Sequence, residues 1–389
     1  MQLRSLAARL AALAAVALGG ASAMAAEFTD STGRIVQLPS RIARVMAADP
    51  AAAVLVYALA PGKLIGWAQP VATGGRSRRE ARLPSYGWLG GPNPAVVLAS
   101  VPRLRPDLIV DAGPPTPERA AFADQTQQAT GIPYIVLDSG FDRTPTMLRT
   151  AGRLLGVADR GDDLALSAEH AIDALRGRLL IQPATTRPRV YYGRGPAGME
   201  PVMPGTQAAE AIENAGAINV AAALAGNPPA AMTRQLLLQW NPDVIIAEQA
   251  GFYGALLRDP AWRGLAAVRN KRVYLEPSQP FGWIDDPDGI NRLIGLYWLS
   301  VVLYPGDTQD DVRSLAQDLY DRFYGIKLSD KQVDDIAKTA GIPASDAPHL
   351  GDLPLGGTGT PPPGGGPPGR NGMTPSPPPA TTPSYLMPK

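Results

Sequence analysis

One stretch constrains the fold more than any other: residues 159–183, DRGDDLALSAEHAIDALRGRLLIQP. Its apolar residues Leu164, Ala168, Ala171, Ile172, Leu175 and Leu179 recur at three- and four-residue steps, the period of one helix face. Pro183 ends it, since proline cannot continue the hydrogen-bond ladder. A helix of this length spans about 35 Å, roughly the width of a small domain. The segments on either side are alike. LRPDLIVDAG (residues 104–113) precedes it and QWNPDVIIAEQ (residues 239–249) follows it, each a Pro-Asp pair leading into a β-branched apolar run. Continuous apolar runs suit parallel strands covered on both faces. Each is followed by a helical segment and a second strand, at residues 134–137 in the first half and 273–275 in the second. The expected fold class is therefore α/β: two small Rossmann-like lobes with mostly parallel sheets, joined by one long connecting helix. A single α/β domain with two similar strands is the alternative.

The 389 residues fit two domains. The expected division is a signal peptide at 1–26, an N-terminal lobe at 27–157, the connecting helix at 158–183, a C-terminal lobe at 184–345 and a tail at 346–389. The opening MQLRSLAARLAALAAVALGGASAMAA places Arg4 and Arg9 ahead of a short apolar run that ends in small residues, the pattern of a cleaved secretory signal. That address predicts a soluble periplasmic protein. Cysteine is absent, which removes disulfides, thiolate nucleophiles and a lipid-acceptor thiol together. Residues 351–389 are rich in Pro and Gly with almost no large apolar residue, so the tail reads as disordered. Lys+Arg 36 against Asp+Glu 35, with no basic run, gives no nucleic-acid footprint.

Along the chain, short strands are expected near 35–36 and 44–46. A helix capped by Asp49-Pro50 follows, then a strand at 63–67 and a long Gly/Arg/Pro-rich stretch at 69–94 holding Tyr86 and Trp88. In the second half a strand at 189–192 runs into GRGPAG, with Gly193, Gly195 and Gly198 in a G-x-G-x-x-G pattern. A dinucleotide fingerprint needs a helix to open there and an acidic residue after the second strand. Pro196, Pro201 and Pro204 delay the helix to about Thr206 and no such acid is present, so the motif is set aside. His170 and His349 are the only histidines, one on the connecting helix and one beside the tail. Neither a Ser-His-Asp set nor a two-histidine zinc site fits those positions, and Asp285-Asp286 read as a cap and a solvated charge. The chain is expected to be no enzyme and to carry neither a cofactor nor a metal site of its own.

Recognition remains. In open parallel sheets ligands bind beyond the carboxyl ends of the strands. Those ends bring Trp67 and Gln69, residues 111–113, Tyr192 and Arg194, Glu248 with Gln249, and residues 278–283 toward one cleft. The ligand-facing set is expected to be Trp67, Tyr86, Trp88, Tyr192, Arg194, Glu248, Trp283 and Asp285. Arg194 would supply a charge-assisted fork and the rings contact area.

Four stretches, TDSTGRIVQLP, the paired RPDLIV and NPDVII, VYYGRGPAGME, and DPAWRGLAAVRNKRVYLEPSQPFGWIDDPDGINRLIGLYWL, resemble the helical-spine class of ABC-importer substrate-binding proteins. The resemblance covers about residues 27–338. It implies a monomer whose two lobes close on a metal chelate by a small hinge, a ferric siderophore first, with cobalamin, haem or a molybdate-like oxyanion as alternatives. It also implies an inner-membrane ABC permease as partner. Members of the class usually present one glutamate per lobe for docking. The equivalents here are Ala99 and Gln235, with Arg103, Arg105 and Arg234 nearby, so either the permease is unusual or the partner is not an importer.

Overall fold

The computed structural model describes residues 26–70, 83–180, 187–225, 231–279, 281–287, 289–304 and 312–341. The expected signal sequence apart from Ala26, the tail and the Pro183 stop lie outside these residues. So do His349 and most of the Gly/Arg-rich part of the 69–94 stretch.

The first lobe opens with a hairpin of β1 (Ala26–Thr29) and β2 (Ile35–Leu38), which pair antiparallel. Its sheet follows: β3 (Val45–Ala47), β4 (Leu108–Ala112) and β5 (Tyr134–Leu137), all parallel and every residue buried. Burial on both faces explains why these strands read as unbroken apolar runs. The strand expected at 63–67 is reduced to two isolated bridges, Val45 with Leu64 and Trp67 with Ser85. The second lobe contains β6 (Arg189–Arg194), β7 (Glu200–Pro201), β8 (Ile218–Asn219), β9 (Val244–Ala247) and β10 (Val273–Leu275). Their order is β10-β9-β6-β7, with β8 also pairing with β6. β7 alone runs antiparallel. β7 and β8 are two residues each and leave no periodicity to read in a sequence.

The connecting helix runs over Ala158–Leu180 and buries Leu164, Ala165, Ala168, Ala171, Ile172 and Leu175. Five of the six residues expected to form its apolar face are buried, and Leu179 is half-buried. It lies against the Thr144–Leu154 helix at Gly152 and Gly161, where a Cβ on Gly152 would stand 2.7 Å from the Gly161 Cα. Only glycine at that crossing lets the two backbones meet. Arg160 on the same helix donates to the carbonyls of Ala58 in the first lobe and of Arg322 and Phe323 near the chain's other end. One apolar core runs from β3 and β4 through the helix to β6, β9 and the Arg292–Leu303 helix, so the lobes share their interior.

Candidate functional site

The carboxyl ends of the two sheets face each other across a cleft. The Pro50–Leu59 helix starts there, with the Asp49 carboxylate accepting from the Ala52 amide at 2.7 Å. Asp49 and Asp111 form a close carboxyl pair set against Arg119, and the Tyr134 hydroxyl donates to Asp111 at 2.9 Å. Burial, reinforced by the Asp111 charge, pushes the Asp49 carboxyl well above the usual range.

From the second lobe the segment after β10 folds over the cleft. Glu276 is buried and its Oε1 accepts the amides of Ile284 at 2.6 Å and Asp285 at 3.0 Å, while the Tyr192 hydroxyl bonds Oε2. Loss of solvent raises this carboxyl from 4.5 to about 8, against the lowering effect of those bonds. Asp285 in turn accepts from Asp286 N–H at 3.0 Å and pairs with Arg194 at 3.4 Å. Burial raises Asp285 as well, opposed by Arg194. The segment seats on the Arg292–Leu303 helix at Gly295, where any Cβ would strike the Trp283 carbonyl. A buried carboxyl and a close backbone contact thus fix one loop.

Between the lobes lies a cavity of about 240 Å³. Pro50, Ala53, Val54, Trp67, Ala68, Gln69 and Pro70 wall it from the first lobe. Ser278, Gln279, Phe281, Asp286 and Pro287 wall it from the second. Trp67 and Phe281 have ring centroids 5.8 Å apart, and Tyr57 adds a third ring 5.3 Å from Trp67. Gln69 Nε2 donates to Asp286 Oδ1 at 2.9 Å, a bond that joins the lobes across the cavity. A second depression of about 480 Å³ shares Ser278 and Asp286 with the first and adds Glu248, Glu276 and Asp285. Among the described residues no group of three or more His, Cys, Asp or Glu is placed to hold a metal ion.

The structure divides the expected ligand set. Trp67 lines the cavity, Glu248 and Asp285 line the adjoining depression, and Arg194 pairs with Asp285. Four residues are elsewhere. Trp283 has no exposed surface and donates its indole N–H to Tyr320 at 2.7 Å, so it is core. Tyr192 is equally buried and its hydroxyl is committed to Glu276. Tyr86 is half-buried, its hydroxyl bonded to both the N–H and the carbonyl of Ala47 on β3, where a sheet residue is braced rather than a ligand met. Trp88 is half-buried against the core and does not line the cavity. The sequence reading missed Glu276 and Phe281 as separate contributors and left Gln69 and Asp286 out of the set. Glu276 directly follows β10, so the strand-end rule could have found it. The glycine motif is used locally: Gly195 donates to Glu248 at 2.7 Å and Gly198 has φ +67 against the Phe252 ring.

The two positions expected to dock are both exposed. Ala99 lies on the Pro94–Leu104 helix and Gln235 on the Arg234–Trp240 helix, each helix ending in a left-handed residue, Arg105 and Asn241. Arg234 lies 5.9 Å over the Trp262 ring.

Comparisons with known proteins agree with this architecture. The family model described as periplasmic binding protein matches residues 99–280. An ABC transporter solute-binding protein from Sulfurospirillum deleyianum superposes with TM-score 0.70 at 26% identity, over 80% of this chain and 99% of that one. The molybdate-bound MolA structure from Haemophilus influenzae gives 0.63 at 22%, over 78% and 99%. In sequence the molybdate-binding protein MolA is 31% identical over 170 residues, 42% of this chain. That match spans about half the length of the curated relative, 47%. Over residues 99–280 the chain is therefore similar to periplasmic binding proteins, and its fold is that of an ABC transporter solute-binding protein.

Proposed function

We propose that the protein is a periplasmic receptor that takes a compact metal chelate into the interlobe cleft and delivers it to an ABC permease. The observation that carries the reading is the cavity itself, walled by both lobes at the carboxyl ends of their strands and roofed by a loop that a buried carboxyl holds in place. Its size argues for a compact solute. Sites for drug-sized ligands run about 300–1,000 Å³, and this one falls below that range. A ferric siderophore would enter with one arm, its bulk lying over the adjoining depression. Charge argues in the same direction. Glu248, Asp285 and Asp286 stand on the second-lobe wall against Arg194, and a carboxylate about 5 Å from a bound anion costs on the order of 3 kcal/mol at an effective dielectric of 20. A neutral or cationic chelate therefore suits this wall better than a bare dianion.

A molybdate-type oxyanion is the second reading, supported by the likeness to the molybdate-binding protein MolA. Calorimetry separates the two. The first reading expects a neutral or cationic ferric chelate to bind at least tenfold more tightly than molybdate, and the reverse order would replace it with the second.

The leader sequence supports a periplasmic location. For docking, the exposed Ala99 and Gln235 with Arg103, Arg105 and Arg234 present neutral and basic groups. Such a surface fits a permease with acidic sockets, or a partner other than an importer.

A further inference from the structure

We propose that Asp286 is the residue that selects the solute, and that it does so by accepting a hydrogen bond from a donor on that solute: an ammonium, an amide, a hydroxyl or a metal-bound ammine or water. This rests on the reading of the interlobe cavity as the ligand site and deepens it by naming the chemistry the ligand presents.

Asp286 is the cavity's one carboxylate among its described lining residues. Its placement is built rather than incidental. The backbone there is left-handed, with φ +46, a conformation that aspartate tolerates better than most residues. Three bonds hold it. Its N–H donates to Asp285 Oδ1 at 3.0 Å, its carbonyl accepts from Gly282 at 3.3 Å, and the preceding amide is fixed on Glu276. The side chain is thereby aimed back across the cleft, where its Oδ1 accepts from the Gln69 amide of the other lobe. Gln69 thus holds the position that a ligand donor would take. An ionised carboxylate has no proton to give. A ligand offering only acceptors would have to break the Gln69 bond, gain nothing from Asp286 and meet its charge as well. A ligand carrying N–H or O–H groups replaces one donor by another. An amide such as Gln69 is a neutral donor, so a cationic donor that displaces it adds the Coulomb attraction between opposite charges to the hydrogen bond it replaces.

The pair also explains why the lobes, 217 residues apart in sequence at this contact, meet through a side chain that can be exchanged rather than through apolar packing alone. The aromatic contact of Trp67 with Phe281 keeps the walls together while the polar bond changes partner.

The test compares two compact probes by calorimetry at pH 7.5. Cobalt(III) hexaammine is covered in N–H donors, and molybdate is a dianion without any. The wild type is expected to bind the hexaammine. Asp286→Asn should weaken it ten- to a hundredfold, the span of a hydrogen bond to a charged group, and tighten molybdate by a similar factor. Gln69→Ala, which removes the internal donor and leaves Asp286 in place, should tighten the hexaammine severalfold. Ser278→Trp, at an exposed wall position, fills the cavity and should abolish both. An unchanged ratio of the two affinities in Asp286→Asn overturns the selector role, and so does a wild type that does not bind the hexaammine. Binding that survives Ser278→Trp fails the cavity reading itself, which is a separate result. Circular dichroism at each step confirms that the variants fold.

Discussion

The two walls of the cleft are built from equivalent strand ends but present opposite chemistry. On the first-lobe side the carboxyl groups face inward: Asp49 caps a helix and, with Asp111, is held by Arg119 and Tyr134. What that wall offers the cavity is apolar surface and the Gln69 amide. On the second-lobe side Glu276 is buried as the loop's anchor, while Glu248, Asp285 and Asp286 stay at the surface of the cleft. One wall therefore supplies shape and the other charge. Duplicated β-α-β units need not divide a binding task equally.

The largest expected effect concerns the anchor of the second wall. A carboxyl whose pKa rises on folding from 4.5 to about 8 binds its proton more tightly folded than unfolded. Its contribution is intact below pH 4.5 and is lost as pH climbs toward 8, at up to ~1.4 kcal/mol per pH unit. Asp49 shifts in the same direction and adds to the slope. Denaturant unfolding from pH 4.5 to 8.5 should show stability falling, and Glu276→Gln should flatten the fall. A slope unaffected by that substitution would mean that Glu276 is not the buried acid described here.

Next is a buried charge that bridges the lobes. Arg292 is 2% exposed and donates to Ser139 O in the first lobe and to Glu210 in the second, and Glu210 also accepts from the Phe141 amide at 3.3 Å. Removing one member of a buried pair costs ~3–5 kcal/mol, and less here because Glu210 is partly exposed. Arg292→Ala should destabilise the protein by about 2–3 kcal/mol in urea. A change below ~0.5 kcal/mol would show that the lobes are held by the shared core alone.

The docking surface comes third. Ala99→Glu with Gln235→Glu should slow association with a permease carrying acidic sockets by about tenfold at low salt, with ligand affinity unchanged. Surface plasmon resonance against the permease in nanodiscs reads this directly. Faster association would instead favour arginine sockets.

The smallest effect is expected at Arg194, whose side chain is 36% exposed and whose ion pair with the less exposed Asp285 is long, 3.4 Å. Arg194→Ala should cost about 1 kcal/mol of stability, since the exposed guanidinium and the long contact weaken the pair. It should weaken anionic probes severalfold by leaving the second wall more acidic. A cationic probe weakened by the same variant would break the charge comparison between the walls.

These contrasts also separate what a sequence can say from what it cannot. The connecting helix and the strands β4, β5, β9 and β10 were legible because long-range burial on a fixed face leaves a period or an unbroken apolar run. Trp67 and Glu248 were legible as groups expected at strand ends. Trp283 was not, because its burial depends on Gly295 twelve residues on and on the Tyr320 hydroxyl, neither of which a local pattern encodes. Tyr86 was misplaced for a related reason: its hydroxyl satisfies a strand 39 residues earlier. Asp286 was visible as half of an acidic pair, but its meeting with Gln69 belongs to the tertiary structure.

The most direct test of the cleft as the binding site is hydrogen–deuterium exchange with and without the solute that calorimetry identifies. Ligand binding should protect amides at residues 67–70 and 278–286 together, one stretch from each lobe. Protection confined to a single lobe, or centred on residues 38–43 at the base of the first lobe, would contradict it.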